Sequence, residues 1–116
     1  MPKLVHSREN QFLEEIDLQE GSWLVGRRPD CDIRVDDDTV SGKHALITVT
    51  ASVYMDDLLD VHVEDQGSTN GTTVNGKAIK RHMLKHGETV KIGSHEFAMV
   101  DESTRGFETT TVVLPD

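Results

Sequence analysis

The 116-residue chain is short of several features that would assign it to a function class at once. It has one cysteine, Cys31, so no internal disulfide can form and a reducing compartment is expected. Aromatic residues make up only 4% of the chain. No apolar run reaches membrane-spanning length, and Met1-Pro2-Lys3-Leu4-Val5-His6 is too mixed for a signal peptide. The expectation is a cytoplasmic protein with no membrane partner. Basic charge is scarce: 12 Lys and Arg stand against 21 Asp and Glu, for a net charge of −9. That balance argues against nonspecific nucleic-acid binding, which needs a basic footprint. An anionic ligand stays open, because a local basic cluster dominates within a Debye length of about 8 Å. The sequence offers no acid–base pair, no nucleophile with its base and no Gly-rich nucleotide loop. Neither an enzyme nor a cofactor is expected.

A helical period is missing as well. Short, partly alternating segments are present instead: 12–18, 22–27, 44–50, 59–65, 89–92 and 95–100. In 59–65, Leu59, Val61 and Val63 fall on one face. The last two segments read as a hairpin around Gly93-Ser94. Only Met83-Leu84-Lys85-His86 suits a helical turn. Turn signals about every 8–12 residues favour an all-β sandwich or barrel. One domain is expected at residues 1–101, large enough to bury roughly two-thirds of its unfolded surface. Residues 102–116 read as a flexible polar tail.

The densest motif is Gly67-Ser68-Thr69-Asn70-Gly71-Thr72-Thr73-Val74-Asn75-Gly76. Its two Asn-Gly pairs are strong hairpin signals, because both residue types tolerate positive φ. Ser68 and Thr69 add hydroxyls directly before the first turn. Two other loops belong with it: Gly26-Arg27-Arg28-Pro29, and Ser41-Gly42-Lys43-His44. Loops of a sandwich cluster at its two ends. At one end together, Arg27, Ser41, Lys43, Thr69 and Asn70 would surround a shallow site. Cations with hydroxyl and amide donors suit a dianionic phosphate.

These residues resemble the forkhead-associated (FHA) family. Gly26-Arg27, Cys31-Asp32-Ile33, Ser41 with His44, Asp65 through Gly76, and Gly87 through Gly93 follow the family's order. The resemblance implies a Greek-key-like β-sandwich of about eleven mostly antiparallel strands that binds phosphothreonine peptides and does no chemistry. It implies phosphate contacts from Arg27, Ser41 and Thr69, with Asn70 holding the peptide main chain. Gly42 and Lys43 complete the binding set. Gly26, His44, Gly71 and Asn75 are implied to support the site, His44 by bracing the loops. Gly42 departs from the pattern, since relatives often carry a basic or amide side chain there. Its N–H still donates, and Arg28 is a candidate to compensate. The rival reading is a scaffold FHA domain that binds an unphosphorylated protein.

Other features read plainly. His82 and His86 have the spacing of a metal pair only if helical, with no third ligand, so no metal is expected. His6, His62 and His95 read as surface strand residues, and Asp36-Asp37-Asp38 as a solvated face near the site. The tail segment Glu108-Thr109-Thr110-Thr111-Val112-Val113 resembles the segment that Ser/Thr kinases phosphorylate in small bacterial FHA regulators. Thr109, Thr110 and Thr111 are therefore candidate phosphorylation sites, and a Ser/Thr protein kinase is an expected partner. Residues 102–109 reach at most about 25–29 Å. The resemblance places the termini opposite the binding loops, so a phosphorylated tail is expected to dock on a neighbour, head to tail.

Overall fold

The computed structural model describes residues 2–52 and 58–101. They form eleven strands and, among the described residues, no helix. The strands are β1 (Lys3–Arg8), β2 (Gln11–Asp17), β3 (Gly21–Gly26), β4 (Ile33–Arg34), β5 (Ala45–Ala51) and β6 (Leu59–Asp65). They continue as β7 (Thr72–Val74), β8 (Lys77–Ile79), β9 (Arg81–Leu84), β10 (Thr89–Ile92) and β11 (His95–Val100). Two sheets result. One runs β2-β1-β11-β10-β7-β8, the other β4-β3-β5-β6-β9. Only β3 and β4 pair in parallel; every other pairing is antiparallel. The expected all-β sandwich of about eleven strands is the observed one.

Period-2 alternation builds the core between the sheets. Val61 and Val63 of β6, Ala45, Ile47 and Val49 of β5, and Phe97 and Met99 of β11 are all buried. The same alternation overturns one expectation. His6 follows Leu4 by two on β1, and His95 precedes Phe97 by two on β11, so both imidazoles face inward and are buried. Reading them as surface residues ignored the face they share with apolar neighbours.

One turn also differs from expectation. Asn75 (φ 50°) and Gly76 (φ 85°) do make a two-residue hairpin between β7 and β8. Asn70-Gly71 does not, because β6 and β7 belong to different sheets and the loop crosses between them. Residues 83–86 make no helical turn, since β9 runs through Leu84. His82 binds Glu88 at 3.1 Å and His86 Nδ1 accepts from Asp101 N at 3.0 Å, so the two imidazoles serve separate contacts. The hairpin at Gly93-Ser94 forms as expected, with Ile92 opposite His95.

Candidate functional site

Three loops meet at one end of the sandwich, and hydrogen bonds lace them together. The loop after β3 lies against the loop before β5: Arg27 N donates to Ser41 O at 3.0 Å and Arg28 N to Gly42 O at 3.2 Å. The approach is backbone to backbone, and Cys31 Sγ completes it with a 3.3 Å contact to Gly42 O. Cys31 is thus a packed residue that accompanies the close approach of Gly26 and Gly42.

His44 ties the second loop to the third. Its Nδ1 accepts from Ser41 N at 3.0 Å, so the ring proton sits on Nε2, which donates to Gly71 O at 2.8 Å. The ring is fully buried, so the bonds are shielded from water. Thr69 N donates to Ser41 Oγ at 3.0 Å, and Asn70 Nδ2 donates to Thr39 O at 2.9 Å. Arg27, Ser41, Gly42, Thr69 and Asn70 are therefore brought together.

Asp65 anchors the third loop from below. Its carboxylate accepts from Gly67 N at 3.0 Å, Ser68 N at 3.1 Å, Thr72 Oγ1 at 2.7 Å, and Ser68 Oγ. Desolvation alone would raise its pKa, but the four hydrogen bonds outweigh it and hold the carboxyl below the usual carboxylate range. Ser68 thus faces inward as a turn-builder, while Thr69 and Asn70 are exposed.

Asp37 plays the matching part in the second loop. Its Oδ1 accepts from Thr39 N at 2.8 Å and Thr39 Oγ1 at 2.5 Å, and its Oδ2 from Ser94 Oγ at 2.7 Å. Hydrogen bonds from Thr39 and Ser94 hold this carboxyl far below its ordinary value. The acidic run is therefore not one solvated face. The Asp37 side chain is 8% exposed, against 76% for Asp36 and 105% for Asp38. Asp37 and Thr39 were missed as site-building residues. The local signal was the Asp-x-Thr spacing, which lets a carboxylate cap the backbone two residues on.

The electrostatics suit an exchangeable anion. Arg27 Nη1 lies 3.5 Å from Asp38, Arg28 Nε 3.1 Å from Asp30, and Arg34 Nη2 4.0 Å from Asp36. These exposed pairs are weak, about 0–1 kcal/mol each. Lys43 is exposed and its side chain has no hydrogen bond or ion pair with the described residues. The Arg27 backbone is pinned on both sides, because its O also accepts from Arg34 Nε at 3.1 Å. Asn75 stands outside this network. It fixes the β7–β8 turn onto β10 through Thr89 N at 3.0 Å. Thr109, Thr110 and Thr111 lie outside the described residues, as does the whole 102–116 segment.

A family model for the FHA domain matches residues 23–93. The chain belongs to the FHA family. Among curated FHA-related proteins it is 35% identical over 89 residues to the glycogen accumulation regulator GarA of Mycobacterium tuberculosis, covering 77% of this chain and 51% of GarA. It is 34% identical over 86 residues to the oxoglutarate dehydrogenase inhibitor of Corynebacterium jeikeium, covering 74% of this chain and 55% of the relative. The FHA chain thus spans about half the length of these two relatives. A solved FHA structure from work on phosphothreonine-dependent FHA interactions superposes with a TM-score of 0.72 at 28% identity, covering 87% of this chain and 96% of the other. The FHA match begins at Trp23, yet β1 and β2 lie before it and pair into the six-stranded sheet beside β11.

Proposed function

We propose that this FHA domain is a phosphothreonine-dependent binding module that regulates a partner by recognition, with no catalysis of its own. One observation carries the reading: Arg27, Ser41, Thr69 and Asn70 sit on three loops that are bonded to one another. Ser41 Oγ accepts from Thr69 N, which leaves its own proton to donate. Arg27 and Ser41 would then hold phosphate oxygens, with Thr69 adding a further hydrogen bond. Asn70 uses one N–H on Thr39 O, and its second N–H and its Oδ1 stay available for a peptide backbone. Lys43 and the Gly42 N–H complete the set, while Gly26, His44, Gly71 and Asn75 hold the shape.

The names of the relatives, a regulator and an enzyme inhibitor, favour control by binding. The finer reading adds a Ser/Thr kinase upstream and a phosphorylated Thr109–Thr111 segment as one ligand. The absent side chain at Gly42 favours a second reading, a scaffold that binds an unphosphorylated partner. Binding assays with matched phosphothreonine, phosphoserine and unmodified peptides from a degenerate library separate the two. Strong preference for phosphothreonine supports the module, and equal affinity for all three overturns it.

A further inference from the structure

Behind the second loop, four ionisable groups form a line from the sheet edge to the candidate site. Glu14 Oε2 lies 3.2 Å from His6 Nδ1. His6 Nε2 lies 2.8 Å from His95 Nδ1, and His95 Nε2 lies 3.2 Å from Asp37 Oδ2. His6 also stacks on Phe97 with ring centroids 4.3 Å apart. Asp37 in turn holds Thr39, whose carbonyl receives Asn70. Thr39 Oγ1 also accepts from Ser94 N at 3.2 Å, directly beside His95.

Proton counting limits the states open to this line. Carboxylates only accept, so each end contact needs an imidazole N–H. The central N–N contact needs one proton as well. Three protons on two rings is one more than two neutral imidazoles carry. With all three contacts made as hydrogen bonds, the pair carries a single positive charge between two carboxylates. A second added proton would set N–H against N–H and break the central bond. Loss of the shared proton would leave one end without a donor. The Glu14 end, with its side chain 54% exposed, can take water instead, and the Asp37 end cannot.

We infer that the His6–His95 pair is a proton-sensitive positioning device for the loop that carries Thr39 and Ser41. It rests on the phosphopeptide reading only for its effect on ligand. The groups facing the pair are Asp37 from the second loop, Arg8 on β1, 3.6 Å from Asp37, and Glu14 on β2, with the Ser94 and Thr39 hydroxyls beside them. Burial and the charge of His6 depress the His95 pKa more than Asp37 raises it. His95 therefore resists taking up a further proton, and acidification is the disruptive direction.

The test uses the whole chain and two variants, His95→Gln and His6→Gln, each of which keeps a hydrogen-bonding amide without titrating. Amide NMR signals of Thr39, Ser41, Thr69 and Asn70 are followed from pH 8 to pH 5 without ligand. They should move in step with the His95 ring signals in the parent and lose that pH dependence in either variant. Identical amide titrations in parent and variants overturn the inference. For the phosphothreonine peptide chosen from the library, Kd should rise from pH 7.5 to pH 5.5 by about threefold more in the parent than in His95→Gln, a fraction of the tenfold that one pKa unit allows. Titration of the peptide's phosphate is common to both proteins and cancels. If no phosphopeptide binds at any pH, the phosphopeptide reading falls, while the ligand-free spectra still decide the loop coupling.

Discussion

Gly26 and Gly42 meet backbone to backbone: a methyl group on Gly26 would lie 2.1 Å from the Gly42 carbonyl oxygen and 3.0 Å from Cys31 Sγ. No side-chain rotation relieves a clash with a carbonyl. Gly26→Ala should force apart the loops that carry Arg27 and Ser41. Overpacking of this kind typically costs about 1–3 kcal/mol. The expected result is a lower melting temperature together with loss of phosphopeptide binding. Parental stability and affinity in this variant would refute the close approach.

Gly42 is bounded only by a side chain that can move. A methyl there would meet only the Cγ of Arg28 at 3.1 Å and its Cδ at 3.3 Å, the stem of a flexible side chain. The Arg28 stem thus lies over the space that a longer side chain at this position would enter. Gly42→Arg should displace it and add a charged donor beside Ser41. A charge-assisted hydrogen bond is worth about 1.5–3 kcal/mol. The expected gain in phosphothreonine-peptide affinity is tenfold or more by calorimetry, with little change for the unmodified peptide. Unchanged affinity would mean that Arg28 already supplies the contact.

Arg27 and Asp38 make a second paired test. The carboxylate lies 3.5 Å from the guanidinium proposed to hold the phosphate. Arg27→Ala should reduce phosphopeptide affinity at least tenfold, since it removes charge-assisted hydrogen bonds worth about 1.5–3 kcal/mol each. Asp38→Asn should raise affinity about twofold to fivefold at low salt, with the gain shrinking as salt screens the exposed carboxylate. A fall in affinity on Asp38→Asn would show that Asp38 orients Arg27 for the ligand and does not compete with it.

Strands with regular alternation were legible in the sequence. The segments 59–65, 89–92 and 95–100 coincide with β6, β10 and β11 because each has one apolar face. β7 and β8 are three residues each, too short to carry a period, and β4 has two. β1 escaped because His6 occupies an inward position that the alternation reserves for apolar residues. The candidate site was legible as motifs, since Arg27, Ser41, Thr69 and Asn70 are near-local signals. The supports His44 and Gly26 were legible with it, whereas Ser94 and His95 were not, because they meet Asp37 only through pairing across the fold.

Acid should weaken the fold in two steps. His95 has a folded pKa below its ordinary 6.5, so its contribution is complete above that value and is lost as pH falls from 6.5 towards the folded pKa. Asp37 and Asp65 are held below 3.8, so their contributions are complete above 3.8 and disappear below it. Melting temperature should be flat from pH 8 to 7, decline between pH 6.5 and 5, and drop again below pH 4. His95→Gln should remove the first decline and keep the second. A single decline confined to pH below 4 in the parent would place no stability in the His95 contacts.

The path of the chain bears on where a phosphorylated Thr109, Thr110 or Thr111 would dock. Ser94 touches Thr39 at the candidate-site end, and β11 then runs six residues away from it to Val100. At about 3.3 Å per residue that is roughly 20 Å. Eight residues onward from Asp101 reach at most about 26–29 Å. A tail returning to its own Arg27 must spend most of that length retracing β11, then bend over the rim. A neighbour's site carries no such constraint, and head-to-tail contacts extend to rings or filaments. Kinase-treated protein should therefore show concentration-dependent assembly in size-exclusion chromatography with light scattering, and Arg27→Ala should abolish it. A phosphorylated monomer at all concentrations, with its tail protected from protease only when Arg27 is intact, would establish docking within one chain instead.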